Sequence, residues 1–192
     1  MAAAERLLRE DGIEALTIRR VAASVGASRQ VVYSRFGDKA GLLRALHDEG
    51  FRRLAAAVGS LDEPVGTDAH VLAVAATYRR TAHEASERFD LMFGQAGPAF
   101  QPDPSAQQVA EQAFGAIVRT ARAWLAAHDG DQAQSVPLAH ALWAATHGVV
   151  ALERAGHYAA EAAERELADL LRRVLYGSLG VAPTDAEAGG DH

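Results

Sequence analysis

The chain has 192 residues and a formal net charge of -6, and 49% of its residues are hydrophobic, which is enough for a substantial core. It has no cysteine, so disulfide frameworks, thiolate metal sites and cysteine nucleophiles are excluded. Because no run of about 18 uncharged apolar residues and no apolar leader occurs, we expect a cytoplasmic protein that does not associate with the membrane.

Charge is distributed unevenly along the chain. Residues 1–58 contain ten Lys and Arg against seven Asp and Glu, whereas residues 59–192 contain nine against eighteen. A basic N-terminal part joined to an acidic remainder is typical of a modular DNA-binding protein.

Helical periodicity extends over most of the chain, and glycines and prolines divide it into segments. Gly12 ends a first helix, and Thr17, Ser28 and Asp38 are suitable N-caps for the next three. We expect the apolar positions of the second and third helices to form one small core with the first and fourth. These positions are Ile18, Val21, Ala22, Val25, Val31, Val32 and Phe36.

Further helices are predicted beyond a linker at residues 59–68. They span about residues 69–86, 87–93, 105–127, 133–155 and 160–177. A loop is predicted at 94–104 and a disordered tail at 180–192. The predicted fold is therefore all-α, with a three-helix head over residues 1–47 that a connecting helix joins to a helical domain over residues 48–179.

The head contains a helix-turn-helix pattern at residues 17–36, in which two short helices meet across Gly26. The second helix of such a pattern can enter the major groove of DNA with its N-terminal residues on base edges. Its outer face is predicted to carry Ser28, Arg29, Gln30, Tyr33 and Ser34. Arginine matches the two acceptors of guanine, and glutamine can both donate to and accept from adenine.

Phosphate contacts are predicted beside these base contacts. Tyr33, Arg35 and Lys39 can bind phosphates, and the helix N-termini at Ser28 and Asp38 present backbone N–H groups. The alternative is a helical corner of the same shape in a protein that does not bind DNA, since glycine turns and serine caps are common.

The run GASRQVVYSRFGDK at residues 26–39, preceded by LTIRRVA at residues 16–22, resembles the DNA-binding head of the TetR family of repressors. The matching positions are Thr17, Ala22, Gly26, Ser28, Tyr33, Phe36 and Lys39, and the resemblance covers roughly residues 3–50. It implies contacts to the groove or backbone for Arg29, Gln30 and Tyr33, and phosphate contacts for Thr17 and Lys39. The whole predicted DNA-binding set is Thr17, Arg19, Ser28, Arg29, Gln30, Tyr33, Arg35 and Lys39.

Two positions depart from the family pattern. Arg35 stands where a histidine is frequent, which should strengthen contact with the DNA backbone. No basic arm precedes the first helix, so contacts from such an arm are not expected.

The segment LWAATHG at residues 142–148, together with YRRTAH at 78–83 and FDLMFG at 89–94, resembles the Trp-His-Gly type of TetR effector domain. The resemblance implies a helical domain that binds a small-molecule effector and dimerises. Effector pockets have mostly apolar walls with a few polar groups. Candidates are Tyr78, His83, Phe89, Met92, Phe93, Phe114, Trp124, Trp143 and His147, with ordinary core packing as the alternative for each.

Apolar stripes on the last two helices support dimerisation independently of the resemblance. The stripe residues are Leu138, Leu142, Val149, Leu167, Leu171, Val174 and Leu175. Small residues at 141, 144 and 145 would allow helices to approach closely, so two helices from each protomer can form a two-fold interface. The alternative is that both stripes pack only within one chain.

Together these features predict a homodimeric repressor that binds a palindromic double-stranded DNA operator and is released by a small apolar effector. A DNA-binding regulator without a small-molecule effector is the alternative. No nucleophile elbow, phosphate loop or paired-acid motif points to an enzyme. His140 and His147 are seven residues apart, whereas a close pair of metal ligands would be four apart, so we expect no metal and no cofactor.

Overall fold

The computed structural model describes residues 1–94 and 100–180, and within these ranges the regular elements are helices. They are α1 (Ala2–Ala15), α2 (Ile18–Ser24), α3 (Arg29–Phe36), α4 (Lys39–Gly59), α5 (Asp68–Glu84), α6 (Ser86–Met92), α7 (Pro104–Ala127), α8 (Ser135–Arg154) and α9 (Ala160–Ser178). The predicted all-α fold is confirmed. Residues 95–99 of the predicted loop and residues 181–192 of the predicted tail lie outside the described residues.

The chain divides into two compact units, and neither is continuous in sequence. The first consists of Met1–Ser60 and Arg80–Gly115, and the second consists of Leu61–Arg79 and Ala116–His192. The predicted boundary after residue 47 falls within α4, and all of α4 belongs to the first unit, in which α6 packs against both α1 and α4.

The three predicted N-caps of the head are confirmed. The Thr17 Oγ1 atom accepts a hydrogen bond from the Arg20 amide at 3.2 Å, and the Ser28 Oγ atom accepts one from the Val31 amide at 3.3 Å. The Asp38 Oδ1 atom accepts one from the Gly41 amide at 2.9 Å. These side chains satisfy amides that lack a partner inside their helices, which fixes where α2, α3 and α4 begin.

The core of the head differs from the prediction at two valines. Val21, Ala22 and Val32 are buried in it, and Ile18 and Phe36 pack against it. By contrast, Val25 is 54% exposed and Val31 is 60% exposed. Burying Val32 turns Val31 away from the core, because successive residues of a helix differ in direction by about 100°.

Close packing and ion pairs join α6 to the head. A Cβ atom at Gly50 of α4 would lie 2.4 Å from the Met92 sulfur, so only glycine permits this approach without rearrangement. The Glu5 carboxylate of α1 binds Arg53 of α4 at 2.9 Å and Arg88 of α6 at 3.2 Å. One carboxylate therefore connects three helices of the first unit.

The second unit is organised around the packing of α8 against α9. Asp68, at the start of α5, accepts hydrogen bonds from the Trp124 indole at 2.7 Å and from the Tyr176 hydroxyl at 2.9 Å. Trp124 is completely buried and stacks on His128, with ring centroids 4.2 Å apart. A half-buried carboxylate with two donors thus anchors α5 to α7 and α9.

The segment Gln132–Arg154, which includes α8, is long and apolar enough to cross a membrane by length and composition alone. Its most apolar window has a mean hydropathy of 1.2, and only 39% of that window is buried within the chain. The search for an uninterrupted apolar run did not find this segment, because polar residues such as Ser135, His140 and Thr146 interrupt it. A single helix of this kind is weak evidence for a membrane span.

Replacing Gly41 with alanine should destabilise the first unit. An added Cβ atom would lie 1.9 Å from the Phe36 carbonyl oxygen, which is backbone and cannot rotate away. We expect the free energy of unfolding to fall by roughly 1–3 kcal/mol in urea denaturation. The control is Gly59→Ala at the other end of α4, where nothing lies within 4 Å, so stability should stay equal or rise. Equal stability of the two variants would contradict the clash.

Candidate nucleic-acid interface and effector site

The helix α3 presents the predicted DNA-contacting side chains to solvent. Val32 is 5% exposed, and it is the buried residue of the helix. The residues on the other sides are all exposed: Arg29, Gln30, Val31, Tyr33, Ser34 and Arg35, as is the capping Ser28. Because α3 is held by Val32 and by Phe36 at its end, most of its circumference is open to a partner.

The predicted phosphate contacts flank this surface in different environments. The Lys39 ammonium binds the Glu14 carboxylate at 3.2 Å, so a contact with phosphate would require it to leave that partner. The Arg35 guanidinium lies 5.5 Å above the centre of the Phe36 ring and is exposed. Arg19 is exposed, and Thr17 is half-buried with its hydroxyl oxygen used as a cap. The hydroxyl hydrogens of Thr17 and Ser28 can still be donated to a phosphate.

The effector candidates are divided between the two compact units. Tyr78, Trp124, Trp143 and His147 belong to the second unit, and His83, Phe89, Met92, Phe93 and Phe114 belong to the first. Trp124 has no exposed surface, and its indole N–H is bonded to Asp68, so it serves the core of its unit rather than a ligand.

Three candidates of the second unit come together. The Tyr78 hydroxyl lies 2.7 Å from Nδ1 of His147, and the Trp143 ring centroid is 6.4 Å from that of His147. Tyr78 is buried, whereas Trp143 and His147 are half-buried. We call Tyr78, Trp143 and His147 the polar triad.

The environment of the polar triad keeps Tyr78 and His147 neutral at pH 7. Burial raises the pKa of the Tyr78 phenol, although a hydrogen bond from Trp143 and the charge of Arg154 act in the opposite direction. Burial, and secondarily the positive charge of Arg154, lowers the pKa of His147. A neutral imidazole accepts at one ring nitrogen and donates at the other, which suits recognition of an uncharged ligand group.

A pair beside the polar triad was not predicted. The Arg79 guanidinium donates two hydrogen bonds to the Glu153 carboxylate, at 2.7 and 2.6 Å, and a third to the Ala160 carbonyl at 3.0 Å. These hydrogen bonds with Glu153 raise the pKa of Arg79. The pair fixes α5 against α8 and the start of α9. Arg79 lies in the segment at 78–83 that carried the family resemblance, but no local pattern pairs it with a residue 74 positions away.

Phe89 and Phe93 of the first unit belong to an aromatic cluster with His47, Phe51 and Phe100, which were not predicted site residues, whereas Met92 is buried against Gly50. Phe93 lies 4.5 Å from Phe89 and 5.4 Å from Phe51, measured between ring centroids. The His47 ring lies 4.9 Å from Phe51 and 5.5 Å from Phe100. Of the two remaining candidates, His83 is exposed and Phe114 is half-buried.

A cavity of about 230 Å³ in the first unit does not match the walls expected for an apolar effector. Its lining is mostly charged, with Glu5, Arg9, Arg53, Glu84, Glu87 and Arg88. Within the part of the chain that the structure describes, no three potential metal ligands cluster together.

The residues predicted for the dimer interface require a correction. Leu138, Leu142, Val149, Leu167, Leu171 and Leu175 are each at most 5% exposed within the single chain, and Val174 is half-buried. Side chains that are already buried between α8 and their neighbours cannot supply contact area to a partner. The exposed positions of α8 are instead Val136, Pro137, His140, Ala141, Ala144, Gly148 and Leu152.

Family comparisons cover most of the chain. A model described as "Bacterial regulatory proteins, tetR family" matches residues 1–46. A second, described as "Tetracyclin repressor-like, C-terminal domain", matches residues 71–176, which is more than half of the sequence. No curated protein is similar enough in sequence to count as a match.

Solved structures share the fold over nearly the whole length. A protein of unknown function from Rhodococcus sp. RHA1 is 24% identical with a TM-score of 0.76, covering 95% of this chain and 93% of its own. The regulator PfmR from Thermus thermophilus is 17% identical with a TM-score of 0.63, covering 90% and 94%. TetR-Q116A from Acinetobacter baumannii AYE in complex with minocycline is 19% identical with a TM-score of 0.62, covering 95% and 96%.

The environment of His147 predicts a pH dependence of stability. Its folded-state pKa is lowered, so as pH falls the unfolded chain binds the proton first. The stabilisation is therefore present above an unfolded-state pKa of about 6.5 and is lost as pH falls below it. Between about pH 7.5 and about pH 5.5, the unfolding temperature of the wild type should fall more steeply than that of His147→Gln.

The control for this measurement is His157→Gln, which changes an exposed histidine beyond the end of α8. Its unfolding temperature should follow the wild-type pH profile. If the unfolding temperatures of the wild type and His147→Gln change with pH in parallel, His147 does not contribute to the pH dependence of stability.

Proposed function

Because the chain belongs to the TetR family of transcriptional regulators, we propose that it is a cytoplasmic repressor that binds a palindromic operator as a homodimer and is released by a small apolar effector. Members of this family are DNA-binding transcription factors and not enzymes. The observation that carries the proposal is the exposed outer surface of α3 in a head whose N-terminal sequence matches the family.

The chemistry of α3 supports direct reading of a sequence. Arg29 and Gln30 occupy the first turn, where a recognition helix reaches base edges. Their side chains can form paired hydrogen bonds with guanine and adenine respectively. Tyr33, Arg35 and Lys39 then hold the DNA backbone on either side of the groove.

The exposed side of α8 supports dimerisation. We define the α8 outer face as Pro137, Ala141, Ala144, Gly148 and Leu152, which recur every three or four residues and are all exposed. A second copy of the chain would cover the side of this apolar helix that one chain leaves exposed. The small residues on that side would allow the second copy to approach closely. A two-fold dimer would then aim two heads at two half-sites of one duplex.

The polar triad supports an effector role for the second unit. An apolar ligand needs a small number of fixed polar groups for orientation, and the hydrogen-bonded Tyr78 and His147 with Trp143 beside them supply these. The minocycline complex of the Acinetobacter TetR variant shows that a protein of this fold holds a small molecule. Aromatic walls and neutral polar groups favour an uncharged or weakly polar effector for this chain.

Arg29 and Lys39 should contribute differently to DNA binding. The probe is a duplex selected by the full-length protein from a random-sequence pool and measured by fluorescence anisotropy at several salt concentrations. Arg29→Ala should lose about 1–3 kcal/mol of binding free energy on the selected duplex and little on a scrambled one. Lys39→Ala should weaken binding to both duplexes. It should also reduce the slope of log affinity against log salt concentration by about 1 per head.

Arg165→Ala is the control, since Arg165 is an exposed basic residue of α9, far along the chain from the head. It should bind like the wild type. Loss of binding that is the same on selected and scrambled duplexes for Arg29→Ala would contradict a base contact.

Charge on the α8 outer face should separate the protomers. In a two-fold interface, Ala144→Glu places two carboxylates near each other without a countercharge, so the dimer should dissociate. Sedimentation equilibrium should then give the monomer mass of 20.3 kDa for this variant and twice that for the wild type. Ala126→Glu, the same change at an exposed position of α7, should remain dimeric. A dimeric Ala144→Glu variant would exclude this face.

A further inference from the structure

Val31 occupies an unexpected position on the recognition surface. It lies in the first turn of α3, directly after Arg29 and Gln30, and it is 60% exposed. The Ser34 hydroxyl donates to the Val31 carbonyl at 3.0 Å, so the exposed Ser34 lies one turn further along the same side. The side chain of Val31 therefore lies on the flank of α3 next to the outward-pointing Gln30 and Ser34, on the side away from Arg29.

Neither the core nor the helix accounts for a valine at this position. The core is formed by Val32 and its neighbours, and an exposed Val31 adds almost nothing to it. Branching at Cβ restricts the side chain and lowers helix propensity relative to alanine. In the orientation that the proposed function requires, the exposed side chain of Val31 is available for a contact made in the complex with DNA.

The chemistry of a valine side chain allows one kind of base contact. Its methyl groups can neither donate nor accept a hydrogen bond, so they cannot bind phosphates or the polar edges of bases. The apolar feature that a base pair presents in the major groove is the C5-methyl group of thymine. Contact between these methyl groups removes apolar surface from water on both sides.

We propose that Val31 is a specificity-determining residue that recognises the C5-methyl group of one thymine in each half-site. The inference rests on the proposed function, because it requires α3 to lie in the major groove. It goes beyond that function by assigning a base and an atom to a residue outside the predicted DNA-binding set.

Replacing thymine with uracil tests this contact by removing only the methyl group. The full-length protein first selects a duplex from a random-sequence pool, and each thymine of that duplex is then replaced by uracil in turn. At one position per half-site, uracil should weaken wild-type binding about fourfold. Uracil at that position in both half-sites should weaken it about fifteenfold. Val31→Ala should bind the thymine duplex more weakly and lose no further affinity at that position.

Val25→Ala is the matched control, since Val25 is 54% exposed but lies at the end of α2. It should retain the full sensitivity to uracil. Unfolding temperatures of both variants verify that the fold is intact, and alanine should not lower that of the Val31 variant.

Two outcomes would overturn the inference alone. Either the wild type binds every uracil duplex as tightly as the thymine duplex, or Val31→Ala retains the same loss at the same position. If the pool yields no enriched duplex, the proposed function itself fails, and the inference fails with it.

Discussion

The buried Val32, together with Phe36 packed against the core, determines which side of α3 faces away from the head. Since successive residues of a helix differ in direction by about 100°, the burial of Val32 points Gln30 and Ser34 outward and places Val31 and Tyr33 on the flanks. The caps at either end fix the helix start and the turn that follows. The surface proposed to face DNA is thus set by apolar contacts on the opposite side of the helix.

The helix α4 connects the helix-turn-helix to α1 and α6. Its first residue is Lys39, beside α3, and Gly50 and Arg53 further along are where α6 and α1 attach. Close packing at Gly50 and the shared carboxylate of Glu5 leave little room for α6 to move independently. Because packed interfaces resist continuous deformation, a displacement of α6 must be taken up by α4.

The second unit pairs its buried polar groups and leaves an apolar surface outside. Asp68 has two donors, Arg79 binds Glu153 with two hydrogen bonds, and Tyr78 bonds His147. Such pairs avoid the cost of unsatisfied buried polar atoms and define one arrangement of the helices. The α8 outer face has the opposite character, since it consists of small and apolar residues without such pairs, and this contrast supports its proposed role in dimerisation.

The sequence by itself determined the helices, their caps and the exposure of Arg29, Gln30 and Tyr33, because periodicity and capping are local properties of the chain. It missed His47 and Gly50, although both continue the inward spacing from Leu43 and Leu46. Only the tertiary structure decided that Val31 is exposed, that the leucines of α8 and α9 are used within one chain, and that Glu5 binds Arg88 from 83 positions away. A pattern shows which side of a helix is apolar, but the neighbour that covers it is chosen by packing between distant segments.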